Sequence, residues 1–232
     1  MLIGFYVNYG CLARRGAEFL VDQASTLTGL DRALNAARAG GGIDVVYTKI
    51  AVDFQNLRSH KSEETIAEGI QGLLEGTDAG AVVLTLLGSD SDVFERVHVA
   101  RAEFNAANPS QFEGDSLTQW PWIKANLRHL SLLQICDTQN PSPGAEVDCR
   151  RLAELKIASM LMIGFHVRGQ PAGFLALCFS QTVDSMDVDH QLLLKLIGSS
   201  FSSGLERIRN SRELEDAAER RELVTLTAND GL

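Results

Sequence analysis

The order of hydrophobic periodicities predicts an α+β fold, and three observations carry that prediction. Two helical stripes come first, the period changes to that of strands at Ala79, and one long helix closes the chain. Between them, Gly164 to Phe179 reads G-F-H-V-R-G-Q-P-A-G-F-L-A-L-C-F, two apolar runs on either side of a turn. The chain has 232 residues, of which 45% are hydrophobic, enough for a full core.

Residues 1–42 are read as a helical leader outside the main core. Leu20, Ala24, Leu27, Leu30 and Leu34 recur at helical spacing and Ala-Gly-Gly-Gly ends the run. A helix is expected from about Asp44 to Arg58, with Val46, Ile50, Asp53/Phe54 and Leu57 on its stripe. Ser62 is expected to cap the next helix by accepting from the Thr65 N–H, with Ile66, Ile70, Leu73 and Leu74 on its inner face. Ala79–Leu87 is an apolar strand suited to cover on both faces. Val93–Ala102 alternates, as a strand with one wetter face does.

Residues 103–127 are read as an irregular excursion containing Trp120-Pro121-Trp122. A connection this long in a compact domain tends to be functional. Leu130–Ile135 is the next strand, D-T-Q-N-P-S-P-G a loop, and Asp148–Leu155 a short helix. Ala158–Val167 and Ala172–Phe179 are a strand pair, and Asp187 to about Thr227 is the closing helix. Leu193, Leu196, Ile197, Phe201, Leu205 and Ile208 mark its buried stripe. After Ile208 charges of both signs alternate, so the helix projects into solvent or pairs with its twin as a coiled coil. The paired serines from Ser199 to Ser203 are read as packing or dimer residues.

Charge and cysteine usage exclude several classes. Lys plus Arg number 21 against 30 Asp plus Glu, a formal charge of −9 that repels nucleic acid and anionic lipid. The apolar start, M-L-I-G-F-Y-V-N-Y-G, is far shorter than the roughly 20 residues of a membrane helix. It has no basic flank or cleavage site, so a cytoplasmic protein is expected. Cys11, Cys136, Cys149 and Cys178 show no C-x-x-C spacing and are expected to be reduced thiols. His98, His129, His166 and His190 are scattered without metal-ligand spacing, and His166 is expected to face solvent or a partner. Phosphate-loop, G-x-S-x-G and H-E-x-x-H motifs are missing, so no enzyme is expected.

The element order resembles the GAF family of small-molecule sensor domains over about Val45 to Ile208. The resemblance is carried by C-R-R-L-A-E-L-K-I-A-S-M-L-M-I-G-F-H-V-R-G-Q-P-A-G-F-L-A-L-C-F, where Ser159, Gly169 and Gly173 match the family's pattern. D-A-G-A-V-V-L-T-L-L resembles its first strand, and D-H-Q-L-L-L-K-L-I-G-S-S-F-S-S-G-L-E-R-I its closing helix. It implies a GAF-like antiparallel sheet with helices packed on one face and a roofed ligand cavity on the other. The roof would be Glu103–Leu127 and Asp137–Cys149. The last residues, E-R-R-E-L-V-T-L-T-A-N-D-G-L, resemble the lead-in to a PAS domain. The implied organisation is a leader (1–42), a GAF-like sensor (43–208) and a signalling helix (209–232) running into a downstream output domain of the same polypeptide.

The resemblance implies a non-catalytic sensory module in a signal-transduction protein, binding an unidentified small molecule and forming a homodimer through its terminal helices. No cofactor is named by these residues. Trp120 and Trp122 are candidate aromatic walls or a hydrophobic plug. Phe112, Arg101, His129, Gln134 and Asp137 are candidate ligand contacts by position. Two other readings stay open. One is a ligand-free dimerisation and spacing element, the other a thiol sensor using Cys136 and Cys149. The family's methionine-sulfoxide-reductase motif, its cyclic-nucleotide N-K-F-D-E set and a tetrapyrrole-attachment Cys-His are all missing.

Overall fold

A computed structural model describes residues 43–88, 91–102, 115–127, 132–183 and 188–229. The leader expected over residues 1–42 lies outside them. The elements are α1 (Ile43–Gln55), α2 (Ser62–Glu75), β1 (Ala81–Leu87), β2 (Phe94–Arg101), α3 (Pro121–Leu127), β3 (Leu132–Ile135), α4 (Glu146–Glu154), β4 (Ser159–Val167), β5 (Gln170–Phe179) and α5 (Val188–Asn229). The five strands form one antiparallel sheet in the order β2-β1-β5-β4-β3.

Side-chain alternation sends each inner strand's residues into two separate cores. Val82 and Leu84 of β1, Leu161, Ile163 and Phe165 of β4, and Leu175 and Leu177 of β5 pack with α1, α2 and α5. The alternate residues Ala81, Val83, Met160, Met162, Phe174, Ala176 and Cys178 pack on the other side with α3 and α4. The β4–β5 ribbon is therefore apolar on both faces because both faces are dry.

Close approaches fix the layers. Phe201 of α5 stacks edge-on against Phe54 of α1 at 4.7 Å and lies 4.4 Å from Phe165 of β4, centroid to centroid. Gly204 lets α5 touch α1: a Cβ there would sit 2.1 Å from the Phe54 carbonyl oxygen. Gly173, with φ of 151°, does the same for β5 and β1, where a Cβ would meet the Thr85 carbonyl at 2.1 Å. Ser202 donates to the Gly198 carbonyl and accepts from the His166 backbone N–H, so this serine packs helix on sheet.

Several local expectations change. Ser62 is the first residue of α2 and buried, not its cap, because a 3-10 turn at Ser59–Lys61 precedes it. On α1 the inner face includes Tyr47 and Ala51 as well as Ile50 and Phe54, while Val46 is half-buried. The end of the irregular excursion is ordered: a 3-10 turn at Leu117–Gln119 leads into α3. Pro121 opens that helix, where its missing N–H costs nothing. His166 does not face solvent; it is half-buried against the end of α3. Burial pushes its pKa down, and a hydrogen bond to the Leu127 backbone pulls it back up.

Candidate functional site

The space between the sheet and the α3–α4 layer is the candidate site, and it is built from the roof inward. Residues 115–117 are tied to the start of β2: the Phe94 N–H donates to the Asp115 carbonyl, and the Leu117 N–H to that of Asp92. Lys124 of α3 pairs with the Asp92 carboxylate. The Ile123 N–H donates to Asp148 Oδ2 of α4 at 2.8 Å, so a buried carboxylate distant in sequence caps the first turn of this seven-residue helix. Among the described residues Asp148 Oδ1 has no hydrogen-bond partner. Burial raises the Asp148 pKa, against the lowering by the Ile123 and Trp122 backbone bonds and by the Arg151 charge.

Arg151 of α4 holds the roof from outside. Its Nη2 donates to Asp115 Oδ2 at 3.0 Å, and its Nη1 to Gln119 Oε1 at 2.6 Å. The guanidinium carbon lies 4.7 Å from the centre of the Trp120 ring. Trp120 Nε1 donates to the same Asp115 Oδ2 at 3.1 Å. Every polar atom of the indole is thus satisfied at the rim, and the ring is driven inward. It is 4% exposed. Its apolar body meets an interior lined by Val83, Phe94, Met160, Met162, Phe174 and Cys178, among others, and the void left there is about 20 Å³. That is room for one water, but the lining offers it no polar partner, and a drug-sized ligand needs about 300–1,000 Å³.

The structure gathers few of the sequence-predicted site residues here. Trp120 is in the interior, and Trp122 is half-buried at its edge. Gln134 alternates with Leu133 and Ile135, which face the roof, so it belongs to the opposite, helix-covered side. Arg101 is exposed at the end of edge strand β2. Asp137 Oδ1 closes a local turn by accepting from the Gln139 N–H. Phe112 and His129 lie outside the described residues. Asp115, Arg151 and Asp148 were missed. Each is an ordinary charged residue in the sequence and gains its role only through partners far along the chain.

The two buried thiols, Cys149 and Cys178, are poor nucleophiles. Cys149 is buried, and burial first, then the charges of Asp148, Glu146 and Asp137, push its pKa up. Burial alone pushes Cys178 up to about 12. Among the described residues Cys136 is exposed, Cys149 and Cys178 are free, and no group of acidic, His or Cys residues could hold a metal ion. No helix among them is long and apolar enough to cross a membrane. A second, open groove of about 1010 Å³ lies at the hairpin end of the sheet. At its rim Lys124 pairs with Asp92 and Arg168 with Glu213.

A five-stranded sheet in this order, with helices on one face and a short-helix roof on the other, defines the fold as GAF-like. Solved structures agree. The phycocyanobilin-bound GAF domain of a cyanobacterial phytochrome superposes with a TM-score of 0.59 at 13% identity, covering 74% of this chain and 98% of that one. The phycoerythrobilin-bound GAF domain of a cyanobacterial phytochrome gives 0.57 at 14%, covering 75% and 99%. The blue-light absorbing form of the Thermosynechococcus elongatus PixJ GAF domain gives 0.52 at 17%, covering 74% and 94%. No protein-family model and no curated protein matches the sequence.

Proposed function

We propose that this chain is a non-catalytic regulatory module on a GAF-like fold, of the kind that binds no small molecule between sheet and roof. It serves a multidomain signalling protein as a spacing and dimerisation element, with α5 as its connection to an output domain. One observation carries this reading: Trp120 fills the sheet–roof interior and leaves about 20 Å³ there, with its only polar atom satisfied by Asp115. The solved neighbours hold bilins on the same fold. Among the described residues the sheet–roof interior here keeps only about 20 Å³, and Gln134, Arg101 and Asp137 do not line it. The buried state of Cys149 and Cys178 argues against the thiol sensor.

The test is reconstitution. The protein is incubated with phycocyanobilin, and separately melted against a panel of nucleotides and small metabolites. The expected result is no retained visible absorbance and a flat melting profile. A compound that stabilises the fold by about 2.7 kcal/mol at a hundredfold excess over its Kd would establish a sensor instead. Light scattering on the full chain and on a fragment ending at Ile208 then tests the dimer. The reading requires association that weakens when residues 209–232 are removed; a monomeric full chain overturns that part of it.

A further inference from the structure

The β4–β5 hairpin reaches beyond the sheet at one residue. Ile208 is the last buried apolar residue of α5 among those described. Just past it, Arg168 at the hairpin tip takes hold of the helix. Its Nη1 donates to Glu213 Oε1 at 3.0 Å, while Nη2 donates to Glu213 Oε2 at 2.8 Å and to Asn210 Oδ1 at 2.6 Å. This is a two-pronged guanidinium–carboxylate pair with a third bond one turn back on the same helix. The hydrogen bond to Arg168 is also the main reason that the Glu213 carboxyl titrates below its ordinary value.

The backbone gives an independent observation. Arg168 has φ of 53° and Gly169 has φ of 76°. Two successive left-handed residues make the tight hairpin turn that suits right-twisted strands, and the first position favours Asn, Asp or Gly. An arginine there meets a steric penalty that asparagine largely escapes. The turn gains nothing from a guanidinium, whose bonds to Asn210 and Glu213 lie 42 and 45 residues along the chain. The hairpin it belongs to is the middle of the sheet: β5 pairs with β1 and β4, and β4 with β3.

We propose that Arg168 is a positioning residue that grips the first free turn of α5 and ties the direction in which this helix leaves the domain to the central hairpin. The inference rests on α5 being the outgoing element, but not on whether the interior binds a ligand. A rigid exit makes a spacing element work at a fixed geometry, and it makes the hairpin tip the place where that geometry can be changed.

Amide hydrogen exchange on the full chain tests it, with Arg168→Asn as the main variant because asparagine suits the left-handed turn. The expected result is exchange about two- to fivefold faster in residues 209–216, with β1 and β5 protected as in the parent. Glu213→Ala should match it, the two together should add nothing, and the exchanged pair Arg168→Glu with Glu213→Arg should recover part of the protection. In 1 M salt, where screening is effective within about 3 Å, the parent should approach the variant. Unchanged exchange in 209–216 overturns the proposal. So does equal acceleration in β5, which would mean that Arg168 merely stabilises the domain. Because no ligand enters this experiment, its outcome is separate from that of the reconstitution test.

Discussion

Replacing Trp120 with alanine removes the plug, and its effect follows from the geometry. A tryptophan side chain buries about 150–250 Å². At 4% exposure nearly all of that is lost to a hole, and at about 25 cal/mol per Å² the transfer alone is worth roughly 4–6 kcal/mol. The unfolded chain already hides part of this surface, so about 3–5 kcal/mol is the expected loss for Trp120→Ala. Trp120→Phe keeps most of the ring and loses the N–H to Asp115, which retains Arg151, so about 1–2 kcal/mol is expected there. Urea unfolding of the three proteins gives both numbers; for a domain of this size the alanine variant should melt roughly 6–20 °C lower. Indole is then added to the alanine variant. At about ten times its Kd it should restore around 1.4 kcal/mol, with no effect on the parent. A loss below about 1 kcal/mol, or equal stabilisation of the parent by indole, would refute the claim that this ring fills the site.

Two further predictions concern the frame around that plug. Gly204→Ala and Gly72→Ala both put alanine in a helix, where propensity alone favours it by about 1 kcal/mol. A Cβ at Gly72 meets only ordinary contacts at 3.5 Å or more, so that variant should be stabilised. At Gly204 it meets the Phe54 carbonyl at 2.1 Å, so α1 and α5 must separate and about 1–3 kcal/mol should be lost, as thermal melts will register. Asp148 predicts a pH dependence. Its folded pKa is raised, so its contribution to stability is fully present below the unfolded value and is lost as pH rises through the folded one. Asp148→Asn should remove that slope from unfolding curves measured upward from about pH 3.9, the ordinary aspartate value. An unchanged slope would assign it to another group.

The helices and strands that obey a period were legible in the sequence. Ile66, Ile70, Leu73 and Leu74 were placed on the inner face of α2, and all are buried. The double-sided burial of β4 and β5 followed from runs too apolar to leave either face wet. Gly173 was singled out by pattern, and its close approach to Thr85 explains why no larger residue fits. What could not be read was decided by contacts distant in sequence. Nothing in P-W-I-K-A-N-L announces α3, because its cap is Asp148, 25 residues beyond Ile123. Ser62 had the chemistry of a cap, but the turn before it moved the start of the helix. Gln134 was chosen for its neighbourhood, whereas a parity count along β3 against Leu133 and Ile135 would have sent it to the other side. The latch joins the Asp115–Trp120 segment to Arg151, 36 residues beyond Asp115, and no local signal links the two.

The closing helix runs without interruption for 42 residues from Val188 to Asn229. The 21 residues after Ile208 extend about 32 Å from the last buried turn. An unbroken rod is a lever: a tilt of about 10° where it is gripped displaces its far end by about 5 Å, roughly one helical turn. Small adjustments at the fulcrum are thereby magnified at the far end of the helix, with no joint in between to absorb them.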